Sequence, residues 1–257
     1  MLPVLFKIGS FNFQTNFITL PIVSSFFVIL GWKRLKNIGY KDDEISLIIF
    51  LIFLSWLVFS RIISLISGEL SFLDFFLIWK GGNPMILGIM GPMISMTIYL
   101  LLKRKNIAEF FDAMVPVVSL SLASYRLLVC LPTGCCFGKP FKFGLVFKEG
   151  SVAYYQALFH LGSLRLHPTQ IYDAVFMLLT FILLEKVNFK QRGDKTLFFL
   201  FMLSLMRLIV DNFRGDIKEF FIIFQLPSFQ GITWWQILSV FLFLCGVYWI
   251  KVLRIRV

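Results

Sequence analysis

Three charged residues lie close together in an otherwise apolar part of the chain. Arg207 is followed four residues later by Asp211 and three residues after that by Arg214, in the segment TLFFLFMLSLMRLIVDNFRGD. Residues three and four apart share one face of a helix, so the sequence predicts that the three side chains lie together. A charge inside a membrane-spanning helix costs at least about 2.5–3.5 kcal/mol, and such residues usually mark a site. Arginine forks in such a site could bind a phosphate.

Two more arginines, Arg61 and Arg126, occur in the later halves of other apolar stretches. Long cationic side chains near a helix end can also extend to the nearby interface, with no further role. For Arg61 the sequence leaves these two interpretations open. For Arg207, the acid and the second arginine on the same face favour a site.

The composition requires a bilayer as solvent. The chain has 257 residues, of which 58% are hydrophobic, and a mean hydropathy of +0.84, well above that of a soluble globular domain. About 20 apolar residues are needed to cross the hydrocarbon core. We therefore predict an all-α integral membrane protein, a single polytopic domain over residues 1–257 with about seven transmembrane helices. The predicted spans are about 16–32, 45–66, 84–102, 107–131, 169–187, 196–213 and 231–250.

The basic residues follow topology, so the net charge of +11 does not indicate nucleic-acid binding. With the N-terminus outside, more than half of the 25 Lys and Arg residues fall in the inner segments. The positive-inside rule therefore predicts an outer N-terminus and a cytoplasmic C-terminus. In this orientation Arg61, Arg126 and Arg207 all lie toward the outer leaflet, within reach of lipid phosphates.

The four cysteines, Cys130, Cys135, Cys136 and Cys245, do not have the spacing of a metal framework. We predict neither a metal nor a cofactor. A disulfide between Cys135 and Cys136 would require a strained turn, and it is not the default expectation.

Three further segments carry predictions. Gly88 and Gly91 in the third span indicate close helix packing first and a lipid groove second. The apolar segment Phe72–Trp79 is too short to cross and predicts an interfacial or re-entrant element. The connection 132–168 is too aromatic and too rich in glycine to be read as disordered.

Four motifs occur in order along these spans. They are Lys80-Gly81-Gly82, Arg126 followed by GCCFGKP at 134–140, HPTQIYD from His167, and RLIVDNFR from Arg207. In this order, the chain resembles the prolipoprotein diacylglyceryl transferase family over roughly residues 15–245.

The resemblance implies an enzyme of lipoprotein biosynthesis in the bacterial cytoplasmic (inner) membrane. Such an enzyme transfers the diacylglyceryl group of phosphatidylglycerol to the lipobox cysteine thiol of a prolipoprotein. Its partners are then phosphatidylglycerol and the prolipoprotein signal peptide, and glycerol phosphate is the second product.

The resemblance also assigns roles to individual residues. Catalytic roles are implied for Arg207, Asp211 and His167. Substrate-binding roles are implied for Arg126, Arg214, Gly138, Gln170 and Tyr172. For His167 the residues alone leave open a structural role, as an anchor of the fifth span that Thr169 would cap. Asp173 is expected to be buried beside a partner such as an arginine.

The chain departs from the family pattern at several positions. Ile86 stands where the family has a histidine and Asn16 where it has a tyrosine, while Cys130 and Cys135 replace an asparagine and a glutamate. Arg126 stands eight residues before Gly134 instead of seven. One residue turns a helix by about 100°, so only a local bulge would restore the direction of Arg126.

These departures keep alternatives open. A paralogue could retain the arginines and bind or move an anionic lipid without chemistry, and loss of the histidine and tyrosine favours it. A thiol redox enzyme using Cys135 and Cys136 lacks a second thiol pair as relay. An intramembrane serine protease lacks a serine in a recognisable nucleophile setting.

Overall fold

The computed structural model describes residues 4–8, 11–66, 85–216, 222–226 and 229–255. The predictions for Phe72–Trp79 and for Lys80-Gly81-Gly82 lie outside the described residues. Of residues 85–89, including Ile86 and Gly88, only the helical backbone is described.

The described part of the chain is mostly helical, and three short two-stranded sheets accompany the helices of the predicted all-α protein. The helices are α1 Asn16–Asn37, α2 Asp42–Ile66, α3 Met85–Leu102, α4 Ile107–Tyr125, α5 Leu131–Thr133, α6 Val152–Gln156, α7 Thr169–Lys186, α8 Asp194–Val210 and α9 Trp234–Ile255. Two-stranded antiparallel sheets pair β1 Val4–Ile8 with β2 Phe11–Gln14, β3 Pro140–Val146 with β4 Arg165–Leu166, and β5 Ile222–Leu226 with β6 Phe229–Thr233.

Several helices are suited to a bilayer. Among the described residues, four are long and apolar enough to cross a membrane: Asn16–Asn37, Asp42–Ile62, Ile107–Thr133 and Asp194–Phe213. Shorter apolar segments lie at Met90–Leu102 and Gln236–Cys245. These helices support a multi-pass membrane protein. The number of seven crossings and the orientation of the termini stay predictions.

The chain forms two compact units, Trp32–Phe110 and Met1–Gly31 with Phe111–Val257. In the first unit, α2 and α3 pack closely side by side. The Ser95 hydroxyl donates to Ser55 Oγ across the helix pair at 3.0 Å. At the other end of the pair, Lys105 forms a 2.8 Å ion pair with Glu44 and lies 3.9 Å from the centre of the Tyr40 ring.

Gly91 is the point of close approach between α2 and α3. A Cβ added there would lie 2.5 Å from the Ser55 carbonyl oxygen and 2.8 Å from Phe59 Cβ. The close-packing prediction for this glycine is therefore confirmed, because small residues are what let two helix backbones approach.

We expect Gly91→Ala to lower the free energy of unfolding by about 1–3 kcal/mol, the usual cost of forcing atoms into a packed core. Thermal unfolding in detergent measures the change. Gly31→Ala is the matched control, since its Cβ would meet only the flexible end of Met114 at 3.3 Å. Equal stability of the two variants would contradict the prediction.

The second unit is built around α4, α7, α8 and α9. The Ser119 hydroxyl on α4 donates to the Met177 carbonyl on α7 at 2.7 Å, and the Ser204 hydroxyl on α8 donates to the Ser239 carbonyl on α9 at 2.7 Å. These bonds satisfy buried hydroxyls and align neighbouring helices. The apolar core between the helices consists of Val115, Ala123, Met177, Leu184, Phe199, Leu200, Leu203, Met206 and Val210.

The beginning of α8 is held by a carboxylate from α4. Asp112 accepts hydrogen bonds from the backbone N–H groups of Gly193 at 2.6 Å and Thr196 at 2.9 Å, and from the Thr196 hydroxyl at 2.6 Å. The first N–H groups of a helix have no partner within the helix, and a negative charge is favoured at that end. This contact orients α8 relative to α4, and Arg207 and Arg126 lie toward the far ends of these helices.

The connection 132–168 is ordered, as predicted. It contains β3, α6, a π-helical turn at Ala157–Leu161 and β4. Five buried residues form a small core of its own: Phe137, Phe147, Ala153, Ala157 and Leu166. The GCCFGKP segment contributes Phe137 to this core, and the packing can hold the neighbouring side chains in place.

Candidate functional site

Arg126 lies in a π-helical turn that continues α4. The turn spans Arg126–Cys130, and the Leu131 N–H donates to the Arg126 carbonyl five residues back. A π turn holds one residue more than an α turn and is frequent at functional sites. The π turn therefore accommodates the extra residue between Arg126 and Gly134. This is the local bulge that the sequence analysis required if Arg126 is to point in the direction of the family's arginine.

The Arg126 guanidinium is buried and contacts a carboxylate and two cysteine sulfurs. Its Nε lies 3.0 Å from Asp173 Oδ2 on α7, and both side chains are at most 5% exposed. Its Nη1 donates to Cys136 Sγ at 2.8 Å and approaches Cys130 Sγ at 3.7 Å. The predicted arginine partner of Asp173 is confirmed, and it orients Arg126 toward the cysteine segment.

Two side chains of the HPTQ motif bind the backbone of the segment that contains Cys135 and Cys136. The Thr169 hydroxyl donates to the Cys136 carbonyl at 2.5 Å, and Gln170 Nε2 donates to the Cys135 carbonyl at 2.7 Å. The prediction that Thr169 caps α7 is wrong: Pro168 occupies the cap position, and Thr169 is the first helical residue. Its hydroxyl donates to the Cys136 carbonyl in the preceding loop and is therefore not available to cap the helix.

We expect Thr169→Val to lower the activity of this site about tenfold and the free energy of unfolding by about 1–3 kcal/mol. Valine has nearly the same shape but leaves the Cys136 carbonyl without its donor, and a buried unsatisfied acceptor costs about that much. Activity assays and thermal unfolding in detergent measure both effects. Thr180→Val is the control, because the Thr180 hydroxyl donates to the Phe176 carbonyl within α7 and not to the loop. The prediction fails if the two variants behave alike.

Gly138 joins three segments that are distant in sequence. Its N–H donates to the His167 carbonyl at 3.2 Å, and the His167 N–H donates to the Lys139 carbonyl at 2.9 Å. On the other side Gly138 pairs with Arg214, and the Lys139 N–H donates to the Phe213 carbonyl at 2.8 Å. The backbone hydrogen bonds of Gly138 thus bring the HPTQ motif and the Arg207–Arg214 segment to the same place.

The His167 ring is packed into this junction. It stacks on Phe141 with ring centres 4.0 Å apart, contacts Phe213, and its Nδ1 lies 3.2 Å from the Tyr172 hydroxyl oxygen. Partial burial and the nearby Lys139 charge lower the pKa of His167 below its usual value. The imidazole is therefore neutral at neutral pH, suited to a hydrogen bond with Tyr172.

A buried carboxylate links Arg207 and Arg214. Asp211 Oδ1 lies 3.1 Å from Arg207 Nη1 and 3.7 Å from Arg214 Nη1. Arg214 also donates to Asp216 through Nε at 2.9 Å and Nη2 at 2.8 Å, a bidentate contact. Such a fork-to-carboxylate contact fixes the plane of the guanidinium. Charges of both signs are thus held in defined directions.

The prediction that Arg207, Asp211 and Arg214 share one helical face is wrong for Arg214. The helix α8 ends at Val210, Asp211 starts a short 3₁₀ turn, and Arg214 has extended backbone. Its side chain still reaches Asp211, because the pairing of Arg214 with Gly138 turns the chain back.

Some polar atoms in the site keep unused bonding capacity. Within the site, as far as the structure describes the chain, four buried atoms have no hydrogen-bond partner: Arg207 Nε, Asp211 Oδ2, Asp173 Oδ1 and Gln170 Oε1. Buried polar atoms are nearly always satisfied, so such atoms require an explanation. They lie on residues of the candidate site, where a donor such as Arg207 Nε can serve an anionic ligand.

Three cysteines meet beside Arg126. The Sγ atoms of Cys130, Cys135 and Cys136 all lie within 4.8 Å of one another, and all three thiols are free. Hydrogen bonds from the Cys130 and Cys135 thiols, together with the Arg126 charge, hold the pKa of Cys136 well below its usual value. From the sequence, only Cys135 and Cys136 are expected to lie next to each other. The π turn brings Cys130 to the same place.

The structure joins the residues predicted for the site in one network, in part through Asp173 and the 135–139 segment. The connected residues are Arg126, Gly138, His167, Gln170, Tyr172, Arg207, Asp211 and Arg214. Arg61, by contrast, belongs to the other compact unit, where its side chain is buried.

Comparison with known proteins identifies the family. A sequence model described as prolipoprotein diacylglyceryl transferase matches residues 3–252. The chain belongs to the prolipoprotein diacylglyceryl transferase family.

Similar proteins carry the name phosphatidylglycerol–prolipoprotein diacylglyceryl transferase. One from Clostridium tetani is 28% identical over 263 residues, covering 100% of this chain and 99% of that protein. One from Legionella pneumophila strain Corby is 25% identical, with 87% and 86% covered. One from Prochlorococcus marinus is 27% identical, with 90% and 73% covered. The predicted membership of this family is confirmed.

Sequence reasoning missed several residues in the site of this family member. Asp216 forms the bidentate contact with Arg214, and Thr169 and Cys136 take part in the contacts of the loop. Asp216 follows Arg214 by only two residues, a spacing that could have suggested an ion pair. Nothing in the sequence alone indicated that Cys136 would contact Arg126.

Proposed function

We propose that this prolipoprotein diacylglyceryl transferase family member transfers the diacylglyceryl group of phosphatidylglycerol to the lipobox cysteine of a prolipoprotein. The observation that carries the proposal is a set of arginines held by carboxylates in a mostly apolar chain: Arg126 and Arg207 are buried, and Arg214 is partly buried. Buried charges are costly, and their retention in a membrane protein calls for a functional reason. The family membership and the names of its relatives support the same activity.

The reaction needs positive groups beside a phosphate. The acceptor sulfur forms a bond to the glycerol carbon, the carbon–oxygen bond to the phosphate breaks, and glycerol phosphate leaves with the electron pair. The acceptor thiol loses its proton. Negative charge builds up on the departing phosphate, and prearranged donors in a dry site stabilise such charge most effectively. Arg207, whose Nε has no partner among the described residues, is the donor we assign to the phosphate.

The carboxylates offset part of the desolvation cost of the arginines and orient their side chains. Asp173 holds Arg126, Asp211 holds Arg207, and Asp216 holds Arg214. An ion pair with good geometry offsets much of the desolvation cost of a buried charge. We therefore assign Asp211 to orienting Arg207 rather than to direct proton transfer.

The HPTQIYD motif supports this site. Gln170 holds the Cys135 carbonyl, Tyr172 contacts the His167 ring, and both backbone groups of His167 bind the 138–139 segment. Of the two roles left open for His167, we propose the structural one. We propose that Gln170 and Tyr172 contribute to phosphatidylglycerol binding indirectly, by positioning Cys135 and His167.

Topology completes the proposal. The chain forms a single polytopic domain that crosses the bacterial inner membrane seven times, with the N-terminus outside and the C-terminus in the cytoplasm. The arginine site then faces the outer leaflet, and the acceptor arrives as the signal peptide of the prolipoprotein. The excess of basic residues in the inner segments supports this orientation.

The test is a reconstituted assay with purified protein, phosphatidylglycerol labelled in its headgroup glycerol, and a lipobox peptide. We expect release of labelled glycerol phosphate and a peptide heavier by one diacylglyceryl group. A peptide with serine in place of the lipobox cysteine and a phosphatidylethanolamine bilayer are the negative controls. No product above these controls would refute the proposal.

Ile86 and Asn16, in place of the family's histidine and tyrosine, favour a second candidate. A non-catalytic paralogue would bind or move an anionic phospholipid and lack turnover. Saturable binding of phosphatidylglycerol without release of glycerol phosphate, in the same assay, would support this candidate over the transferase.

A further inference from the structure

The three-cysteine cluster is placed and oriented more precisely than a chance meeting of thiols requires. Cys130 reaches it from the π turn, and Cys135 and Cys136 reach it from the loop that follows α5. Adjacent residues usually point in different directions, but Cys136 has a φ of +56°, a left-handed conformation that few non-glycine residues adopt. A strained backbone at a cluster of reactive side chains points to a function that needs the strain.

Surrounding groups hold the cluster in place. Thr169 and Gln170 bind the carbonyls of Cys136 and Cys135, and Arg126 Nη1 donates to Cys136 Sγ at 2.8 Å. A guanidinium aimed at sulfur favours the thiolate over the thiol, because a charged donor binds a charged acceptor most strongly. Partners that orient the ligands of a metal in this way are a regular part of metal sites.

We propose that Cys130, Cys135 and Cys136 bind a zinc ion whose fourth ligand is the acceptor thiol. Tetrahedral zinc at about 2.3 Å from each sulfur needs sulfur–sulfur distances of roughly 3.8 Å. All three sulfurs here lie within 4.8 Å of one another, so modest side-chain rotations suffice. Among the described residues, no histidine or carboxylate completes the group. Three protein ligands and an open fourth position distinguish catalytic from structural zinc sites.

The inference deepens the proposed transferase function and rests on it for the identity of the acceptor. The reaction needs a thiolate, but Ile86 cannot take a proton where the family has a histidine. A thiol that coordinates zinc loses its proton outright. That proton goes to solvent, and the sulfur electron pair then attacks the glycerol carbon as glycerol phosphate leaves. No oxidation or reduction is involved.

Arg126 fits this charge balance. Zinc with three thiolates carries one net negative charge, and the Arg126 guanidinium is in direct contact with Cys136. The cysteines at 130 and 135, which replace the family's asparagine and glutamate, then supply ligands that the family pattern lacks. A different means of activating the acceptor thiol would compensate for the missing histidine.

The first test measures metal binding by the intact chain, purified in detergent from zinc-supplemented cells. We expect about one zinc per chain, and after chelation and Co²⁺ loading, the absorption bands of thiolate-to-cobalt charge transfer. Cys136→Ser should weaken zinc binding at least about 100-fold, beyond the loss caused by changing a supporting residue. Cys245→Ser is the matched control, because Cys245 lies exposed on α9. Absence of zinc and of the cobalt bands in the wild-type chain would overturn the inference, even if a serine variant failed to fold.

The second test concerns the fourth position. A lipobox peptide should shift the cobalt bands, whereas its serine counterpart should not; an unchanged spectrum would overturn the proposed role of the acceptor as ligand. Chelated protein should lose activity and regain it on addition of Zn²⁺. Full activity without zinc would refute this inference and leave the proposed function standing. Zinc binding without any release of glycerol phosphate would refute the proposed function and leave the metal site standing.

Discussion

Replacing Arg207 with alanine is expected to lower the release of glycerol phosphate by about 10²–10³-fold. Removal of one prearranged donor from the developing charge of a transition state has this effect in other enzymes. Arg207 is 3% exposed, its Nη1 is directed by Asp211, and its Nε has no partner among the described residues. The loss should therefore appear mainly in kcat, because the phosphate gains most of its charge as the bond breaks.

Two variants sharpen this prediction. Arg207→Lys keeps the charge but loses the planar fork, and we expect it to recover only a small part of the activity. Arg192→Ala removes an exposed arginine near the beginning of α8 and should match the wild type. Thermal unfolding in detergent shows whether the Arg207 variants remain folded. An Arg207→Ala protein that is folded and keeps more than a tenth of wild-type activity would contradict the assignment.

Gly138→Ala is expected to lower activity by at least about 100-fold and to destabilise the protein by about 3 kcal/mol. A Cβ at Gly138 would lie 2.5 Å from the His167 carbonyl oxygen and 2.9 Å from the Phe213 carbonyl oxygen, and it would also clash with His167 Cβ. Two of these atoms belong to the backbone and cannot move as a flexible side chain would. Overpacking at such a point is at the costly end of the usual range.

The effect on activity follows from what Gly138 joins. Displacement of its segment moves Arg214 on one side and His167 on the other, and a shift of about 1 Å at reacting groups can cost about 10²-fold. Gly31→Ala is again the control, because its Cβ would meet only the tip of Met114. A Gly138→Ala protein with wild-type activity would show that the junction does not position the site.

The helices could be predicted from the sequence because their signal is local. Long apolar runs determine where α1 to α4 and α7 to α9 lie, and the structure places a helix at each predicted span. The partner of Asp173 could also be predicted, since a buried carboxylate in an apolar helix requires a cation. That this cation is Arg126 depended on how α4 and α7 pack.

The remaining features depend on contacts between distant segments. Arg214 has extended backbone because it pairs with Gly138, which lies more than 70 residues earlier in the chain. No helical periodicity could have indicated this pairing. Threonine is common at the cap of a helix, but the Thr169 hydroxyl donates to the carbonyl of Cys136 instead. The meeting of Cys130 with Cys135 and Cys136 similarly requires a turn whose width the sequence does not specify.

The wide turn at Arg126–Cys130 has an implication for evolutionary comparison. A π turn of this kind lets a helix hold one additional residue while the parts before and after it keep their direction, so we expect this helix to accept a one-residue insertion. Alignments that forbid gaps within this helix will displace every later signature residue by one position. Divergent relatives can then seem to have lost residues that they have only shifted.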